Sequence, residues 1–278
     1  MYTLPVEQYF QRRSDKFSVY ASDPEDNNHE HCHEFDELVL VESGHGLHVL
    51  NGKPCYIQQG DVFYVKEGDH HFYDELGTLK ITNVLVNRQQ PFQYLHNTDT
   101  LFQRINQAAE QQHGWLLPEQ RVLCQSLIGQ LTHSAAAPAS GLAEASQEVI
   151  FFQLLMAITH AVSSPSRSHT KYKLHQLIAW LQDNCFEEID WEALSARFLL
   201  TRRTLYRQIK ETTGMTPEHF IKRLRLVSAR ARIRESEENI TDIAFMCGFT
   251  SSNHFSTCYK NVFGHTPSQE RMRIYQRQ

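Results

Sequence analysis

Residues 194–217, LSARFLLTRRTLYRQIKETTGMTP, and residues 243–267, IAFMCGFTSSNHFSTCYKNVFGHTP, repeat one pattern. Both copies begin with a short apolar helix signal and end in Gly-x-Thr-Pro, at Gly214 and again at Gly264. The second copy is one residue longer in the turn that follows its helix signal. A short helix, a turn and a longer helix form a helix-turn-helix, which places its second helix in the major groove of DNA. The repeat therefore predicts two DNA-reading units in one chain.

The charge of the 278-residue chain is segregated between its two halves. Residues 171–278 contain 17 Lys or Arg and 12 Asp or Glu, whereas residues 1–170 contain 10 and 20, for a net charge of -5. A basic half suits the phosphate backbone of double-stranded DNA, and an acidic half is repelled by it. The length is sufficient for two domains that each bury a core. The first half is therefore expected to have another task.

Composition predicts a cytoplasmic protein without a membrane span. The most apolar stretch, residues 149–162, is short and interrupted by polar residues. The first residues lack a charged leader followed by an apolar run, so no secretion signal is predicted. The six cysteines have no paired spacing, which favours reduced thiols.

The acidic half predicts a small barrel followed by helices. Short alternating segments separated by tight turns are typical of a cupin-like β jelly roll. The predicted strands are 38–42, 47–50, 55–58, 62–65, 70–73 and 79–86. Apolar residues at helical spacing then predict helices around 102–109, 122–131 and 150–158.

We therefore predict a mixed fold, an N-terminal cupin-like β jelly roll with flanking helices and a C-terminal all-α double helix-turn-helix. The predicted segments are a flexible N-terminal arm at 1–28, a ligand-sensing barrel at 29–92, a helical dimerisation segment at 93–162, a linker at 163–170 and a DNA-binding domain at 171–278. The linker prediction rests on the Ser-rich composition of its residues.

The second helix of the first unit carries the arginines that we expect to read bases. Thr201 is the predicted N-cap, and Leu205 and Ile209, one turn apart, are predicted to face the core. Arg203 and Arg207 share another face, and an arginine fork fits guanine N7 and O6. Arg202 is expected to contact phosphate. A solvated basic helix face is the alternative, and the duplicated motif argues against it.

The corresponding helix of the second unit presents Ser252, Asn253, His254 and Thr257. Asparagine can bind adenine through two hydrogen bonds, whereas serine, threonine and histidine contact bases less strictly. Between the units, Pro217 is predicted to begin a helix that runs to about residue 235. Such a rod is roughly 28 Å long, close to the roughly 34 Å of one DNA turn. It could therefore set two reading helices into successive major grooves.

The C-terminal half resembles the DNA-binding domain of the AraC/XylS family of transcription regulators. The resemblance rests on Ile243-Ala244, Cys247-Gly248-Phe249, Ser252-Asn253-His254-Phe255-Ser256 and Gly264-His265-Thr266-Pro267. It implies that the base-contacting positions are Arg203, Tyr206, Arg207, Ser252, Asn253, His254 and Thr257. Within the family, the chain as a whole most resembles the activators of L-rhamnose catabolism.

The resemblance also implies a contact with the sigma subunit of RNA polymerase. Asp242, at the start of the first helix of the second unit, is the available acidic residue. Ser251 stands where some relatives have a second acidic residue. Asp242 could instead only stabilise the N-terminus of its helix through the helix dipole.

The densest polar cluster of the sequence lies in the predicted barrel. His31, His33 and Glu37, followed by His71, resemble the two cupin motifs whose three histidines and one glutamate hold a metal ion. Period two in a strand directs His31 and His33 to the same face. Glu25, Lys66 and Glu75 depart from the cupin pattern, standing where cupins have Gly, Pro and Asn.

Three interpretations of this cluster remain open. It could bind a sugar through its histidines and carboxylate, with Phe35, Tyr64 or Tyr73 stacking on the ring. It could hold iron, manganese, nickel or zinc, as in a metal-dependent cupin oxygenase or isomerase that carries a DNA-binding tail. It could also be a barrel core with purely structural histidines. We favour a site for L-rhamnose or another small sugar without a cofactor, formed by His31, His33, Glu37, Tyr64 and His71.

Together these predictions describe a sugar-responsive, sequence-specific transcription activator that is a homodimer and not an enzyme. No catalytic constellation other than the cupin-like cluster is apparent, because serine, histidine and aspartate residues occur without a nucleophile-elbow motif. A DNA-binding protein that ignores ligands is disfavoured, because its first 160 residues would have no task.

Overall fold

The computed structural model describes residues 2–22, 30–75, 79–110, 114–135, 141–163 and 169–275. The chain forms two compact units, one of Met1–Gly46 with Ile57–Tyr172 and the other of Leu47–Tyr56 with Lys173–Gln278. The strands are β1 Tyr2–Leu4, β2 Phe17–Ser22, β3 His31–His33, β4 Asp36–Ser43, β5 His45–Leu50, β6 Lys53–Gln58, β7 Val62–Val65, β8 His71–Glu75 and β9 Lys80–Val86. The helices are α1 Val6–Tyr9, α2 Thr98–Glu110, α3 Pro118–Ala135, α4 Gly141–Ser163, α5 His169–Asp183, α6 Trp191–Arg197, α7 Arg202–Thr213, α8 Pro217–Glu235, α9 Ile240–Met246, α10 Ser252–Phe263 and α11 Pro267–Tyr275.

The strands form two sheets. One has the order β1-β3-β8-β5-β6 and the other the order β2-β9-β4-β7. In the four-stranded sheet all three pairings are antiparallel, and Glu37 lies opposite both Val65 and Leu85. The predicted jelly-roll class is confirmed, and β4 to β9 all overlap the predicted strands.

The N-terminal residues differ from the expected flexible arm. β2 pairs along its whole length with β9, and Phe17 at its start is only 2 % exposed. β1 pairs in parallel with β3. Val6 and Phe10 pack with Phe35 in a small core of their own. The polar composition concealed the alternation of β2, whose Phe17, Val19 and Ala21 occupy one face. Residues 23–29 of the predicted arm lie outside the described residues.

Helices α2 to α4 form where the apolar periodicity predicts them, and they cover one face of the four-stranded sheet. Leu38, Leu40 and Val84 from the sheet share a core with Phe151 and Leu155 of α4. The period of two in β4 therefore separates two environments. Its even-numbered residues face this helical layer, and Glu37 and Val39 face away from it.

By length and composition α4 could cross a membrane, with a mean hydropathy of 1.3 in its most apolar window. It is longer than the apolar run found in the sequence. The core helices of folded domains share this property, and Phe151, Leu154 and Ile158 of α4 are fully buried in the core.

The predicted Thr201 cap and the helix that begins at Pro217 and ends near residue 235 are confirmed, whereas α6 and α9 each begin three residues before their apolar signals. Thr201 caps α7 and Thr216 caps α8, whose first residue is Pro217. Asn239 caps α9 and Ser251 caps α10. The turn between α9 and α10 is one residue longer than that between α6 and α7, as the repeat predicts. Residues 164–168 of the predicted linker are not among the described residues.

Candidate effector site and nucleic-acid interface

The three motif histidines and the motif glutamate meet between the two sheets. His31 and His33 extend from β3, His71 from β8 and Glu37 from β4. His31 lies directly opposite His71 in the sheet register. The Nε2 atoms of His33 and His71 are 2.7 Å apart, and Glu37 carboxylate oxygens lie 3.6 Å from His33 Nε2 and 4.0 Å from His71 Nε2. All four residues are at most 6 % exposed.

Burial controls the protonation of this cluster. Desolvation, reinforced by the neighbouring His31, lowers the pKa of His33 to about 4. Desolvation raises the pKa of Glu37 to about 8. At neutral pH His33 is therefore uncharged and Glu37 largely protonated. Glu37 Oε2 makes no hydrogen bond to any described residue, so the carboxyl group still has an unused donor or acceptor.

Two aromatic side chains border the cluster, and Asn83 lies on the same sheet face as Glu37. The ring of Phe35 stacks on His33, with centroids 5.0 Å apart. Tyr73 lies edge-on to His71 at 5.7 Å, and both burial and Glu37 raise its pKa. Asn83 of β9 is 3 % exposed, and no hydrogen bond to its Oδ1 occurs within the described structure. Asn83 was not among the predicted site residues, and a polar residue at the inward position of an otherwise apolar strand was the available signal.

Tyr64 does not join this cluster, contrary to its predicted place in the site. It lies opposite Leu38 in the register and therefore faces the helical layer. Its hydroxyl donates to Asp36, and its ring stacks on Phe102 at 4.1 Å. Arg88 forms an ion pair with the same Asp36 at 3.1 Å. The sequence placed Tyr64 near the histidines by proximity alone, whereas strand alternation sends it to the opposite face.

The donor set fits a divalent metal ion. One nitrogen from each of His31, His33 and His71 lies within 4.8 Å of the others. Atoms that bind one ion at about 2.1 Å lie about 3.0–3.4 Å from each other, so small side-chain shifts would bring these nitrogens into place. Glu37 can supply an oxygen ligand through the atom that makes no hydrogen bond. The three histidines and Glu37 are therefore the residues that would hold an ion.

The first reading helix, α7, has the two faces that the sequence predicts. Leu205 and Ile209 are fully buried. Arg203 and Arg207 are exposed, and Arg207 makes only a 3.9 Å contact with the equally exposed Glu211. The face that carries both arginines is therefore open to a ligand such as DNA.

Arg202 and Tyr206 are held by contacts within the unit. Arg202 lies 3.4 Å from Glu192 and donates to the Tyr206 hydroxyl at 3.3 Å. That hydroxyl in turn donates to Glu218 at 2.5 Å. A DNA phosphate would have to compete with two carboxylates for these side chains, so they are less available than Arg203.

The second reading helix, α10, buries Phe255 and Tyr259 and exposes Asn253, His254 and Thr257. His254 Nε2 lies 3.3 Å from Cys258 Sγ, and Thr257 donates to the Asn253 main-chain carbonyl. Ser252 is half-buried in the first turn. The face is polar but carries no arginine, in agreement with the less strict reading expected of this unit.

Asp242 is exposed in the first turn of α9. Its position suits both a partner contact and stabilisation of the helix dipole. Asn239 already caps this helix by accepting from Thr241 N at 2.8 Å.

Comparison with known proteins agrees with the fold class predicted for each half of the chain. A profile described as "Helix-turn-helix domain" matches residues 194–273, and one described as "AraC-like ligand binding domain" matches residues 17–155. The chain is 40% identical to the HTH-type transcriptional activator RhaS of Salmonella paratyphi A, covering 86% of this chain and 85% of that protein. It is also 40% identical to RhaS of Escherichia fergusonii, covering 87% of each. A solved AraC-type regulator from Chromobacterium violaceum aligns with 40% of this chain and 98% of its own, at 30% identity and a TM-score of 0.36.

These matches confirm the resemblance found in the motifs, and they do not favour an enzyme that carries a DNA-binding tail. The relatives are transcriptional activators, and identity to them extends over both the barrel and the helix-turn-helix repeat. The chain belongs to the AraC family of transcription regulators.

Proposed function

We propose that the protein is a cytoplasmic, sugar-responsive activator whose histidine cluster binds the effector, L-rhamnose or another small sugar. The convergence of His31, His33, His71 and Glu37 between the sheets carries this proposal. A neutral imidazole has one donor and one acceptor, and a protonated carboxyl group has both as well. Sugar hydroxyls need donors and acceptors together. The cluster thus has the hydrogen-bonding capacity that a neutral sugar requires.

Two buried polar atoms, one of the motif residue Glu37 and one of Asn83 outside the motif, extend the proposed sugar site. Asn83 Oδ1 and Glu37 Oε2 are buried atoms that make no hydrogen bond to the described residues. Buried polar atoms normally have a partner, so ligand hydroxyls are reasonable partners here. The four motif residues are closed off from solvent, and sugar entry therefore requires the barrel to open.

Isothermal titration calorimetry of the full-length protein with L-rhamnose tests this site. We expect saturable binding that is lost in His33→Ala, which removes a hydrogen-bonding side chain from the cluster. Binding should be weakened in Asn83→Ala, which removes a buried amide from the sheet face that carries Glu37. Tyr64→Phe is the matched control, because Tyr64 faces the helical layer. Equal binding in His33→Ala and the wild type would exclude the cluster as the sugar site.

A metal ion is the second candidate ligand, because the donor atoms converge within 4.8 Å. When bound, an ion would supply a Lewis-acid centre to which sugar hydroxyl oxygens can coordinate. Elemental analysis of freshly purified protein distinguishes the two candidates. About one equivalent of iron, manganese, nickel or zinc in the wild type, and none in a His31→Ala His71→Ala variant, would favour the ion. Sugar binding by metal-free protein would favour direct hydrogen bonding.

For DNA, we propose that Arg203 and Arg207 read bases while Arg202 and Tyr206 contribute backbone contacts. The open arginine face of α7 supports the first assignment. The second assigns Arg202 and Tyr206 the weaker contacts, because a phosphate must displace their carboxylate partners Glu192 and Glu218. Ser252, Asn253, His254 and Thr257 form the second reading surface.

We also propose that Asp242 contacts the sigma subunit of RNA polymerase. Its exposure, and the separate N-cap supplied by Asn239, support a role beyond helix stability. Asp242→Ala should lower transcription in a purified system while operator occupancy stays constant. A parallel loss of occupancy and of thermal stability would instead assign Asp242 to the helix alone.

We also propose that the protein forms a homodimer through α4. Leu142, Ala145, Val149, Phe152 and Met156 follow the 3-4 spacing of a coiled-coil seam. Three of them are strongly exposed, Leu142 by 85 %, Val149 by 53 % and Phe152 by 40 %. An apolar stripe of this kind fits the same stripe of a second copy. In sedimentation, the double variant Val149→Glu Phe152→Glu should be monomeric where the wild type is dimeric, whereas Gln153→Glu should remain dimeric.

A further inference from the structure

Arg225, near the middle of α8, joins the two helix-turn-helix units through main-chain carbonyls. Its guanidinium group donates to the carbonyl oxygens of Cys185 at 2.5 Å, Glu187 at 2.8 Å and Gly248 at 2.6 Å. Cys185 and Glu187 lie between α5 and α6, just before the first unit. Gly248 lies in the turn of the second unit, between α9 and α10. One side chain therefore joins the segment that leads into the first unit to the turn of the second unit.

The two main-chain segments also meet directly at Gly248. Its φ is +78°, and a Cβ there would lie 2.4 Å from the carbonyl oxygen of Phe186 and 3.0 Å from Arg225 Cζ. Only a residue without a side chain fits both this left-handed conformation and this close approach. The turn of the second unit is therefore seated against the 185–187 segment, with the guanidinium group beside it.

This contact is a second connection between the units, in addition to α8 itself. Residues Leu226, Ala229 and Ile233 of α8 pack with α9 and α10. A single helix fixes the distance between two packed units better than their rotation about its axis. Hydrogen bonds from one planar guanidinium group to both sides restrain that rotation, because the fork has a fixed geometry.

We propose that Arg225 is a positioning residue that fixes α10 relative to α7 and thereby sets the spacing of the two DNA segments that the protein reads. Its three bonded N–H groups are committed to main-chain carbonyls and are unavailable to phosphates. Two rigidly joined reading heads gain affinity only from DNA whose two segments match their separation. A looser joint keeps each head intact but weakens this selection.

Spacing dependence of DNA binding tests the role of Arg225. DNA sites are first selected in vitro with wild-type protein, and a base pair is then inserted or deleted between the two contacted segments. Fluorescence anisotropy should show that the change weakens wild-type binding about tenfold or more, but Arg225→Lys binding less than about threefold. Arg225→Lys should also bind the unaltered site about tenfold more weakly than the wild type, with unchanged affinity for DNA that retains only one segment.

Arg223→Lys is the matched control, because it makes the same substitution on the same helix and lies against Phe263 instead. It should keep the wild-type spacing dependence. Arg225→Gln, which retains two N–H donors, repeats the test with a neutral side chain. Wild-type spacing dependence in Arg225→Lys would overturn the proposal, as would an equal loss of affinity for one-segment and two-segment DNA. Failure of both Arg225 variants to fold would also overturn it, because Arg225 would then be required for the fold itself.

Discussion

Arg203 and Arg207 illustrate how position on a helix decides what an arginine can do. Both are exposed on α7, whose opposite side buries Leu205 and Ile209. Arg202, next to Arg203 in sequence, points instead to Glu192 and Tyr206. Adjacent arginines on one helix therefore have different partners, and only one of the two is open.

We predict that Arg203→Ala and Arg207→Ala each cost about 1–3 kcal/mol of binding free energy on a selected DNA site, with little change on random DNA. The reason is that a bidentate contact to guanine discriminates between bases, whereas a phosphate contact does not. Competition binding with both DNAs measures the difference. Equal losses on specific and random DNA would assign both arginines to the backbone.

Glu270 of α11 is a carboxylate surrounded by three basic side chains. Arg234 lies 2.6 Å away, Arg230 lies 3.5 Å away, and His265 contacts its other oxygen. Burial alone would raise the pKa of Glu270, but Arg234, the hydrogen bond from His265 and Arg230 together lower it to about 2. The ionised form is therefore the one that the fold stabilises.

We predict that Glu270 makes the unfolding free energy depend on pH below about 4.5. Because its folded pKa is depressed, its contribution is full above the unfolded value of 4.5 and is lost as the pH falls towards 2. The full linkage is about 3 kcal/mol. Urea unfolding at pH 6 and pH 3 should show a smaller drop for Glu270→Gln than for the wild type. The exposed control Glu188→Gln should match the wild type, and an unchanged drop in Glu270→Gln would refute the prediction.

Among the elements of the N-terminal domain, α4 carries a buried carboxylate that connects three segments of the chain. Its Glu148 is fully buried and pairs with Lys16 at 2.7 Å. The same carboxylate accepts from the main-chain N–H groups of Gln93, Tyr94 and Leu95. One side chain thus fixes α4 to the segment before β2 and to the connection between β9 and α2.

We predict that Glu148→Ala lowers the unfolding free energy by about 3–5 kcal/mol, because it leaves the Lys16 ammonium group and three N–H groups buried without their partner. Glu144→Ala is the matched control on the same helix. Glu144 is 40% exposed and lies 3.7 Å from Lys16, so its loss should cost less than about 1 kcal/mol. Thermal unfolding measures both variants, and equal effects would contradict the assignment.

At this scale the sequence predicted regular elements well and long-range partners poorly. The apolar periodicity of α2 to α4, the Thr201 cap and the helix start at Pro217 are local signals, and the structure confirms them. The pairing of β2 with β9 joins residues that are distant in the sequence, and no local sequence pattern predicts it. The contacts of Glu148 and Arg225 likewise depend on segments that only the fold brings together.

For the histidine cluster too, local signals were predicted well and long-range partners poorly. Alternation within one strand correctly placed His31 and His33 on a common face, and the motif correctly brought Glu37 and His71 to them. Tyr64 was wrongly grouped with them, because its face depends on its register with β4. Asn83 was missed because β9 lies beyond the motif.

At the scale of the whole molecule, the proposed effector role requires the buried cluster in the barrel to alter DNA reading without touching DNA. A ligand does this by binding one arrangement of the chain more tightly than another. A hundredfold change in operator affinity requires a difference of only about 2.7 kcal/mol, which a few sugar hydrogen bonds can supply. In the proposed dimer, which would carry four reading helices, a better alignment raises avidity without any new DNA contact.

Operator binding by the full-length protein, titrated with and without L-rhamnose, tests most directly whether the cluster controls DNA reading. We predict that the sugar raises the operator affinity of the wild type about tenfold or more. Glu37→Ala should keep the sugar-free affinity and lose the response, whereas Glu42→Ala, on the same strand outside the cluster, should respond normally. A wild-type affinity that no small sugar changes, or a full response in Glu37→Ala, would contradict control by this cluster.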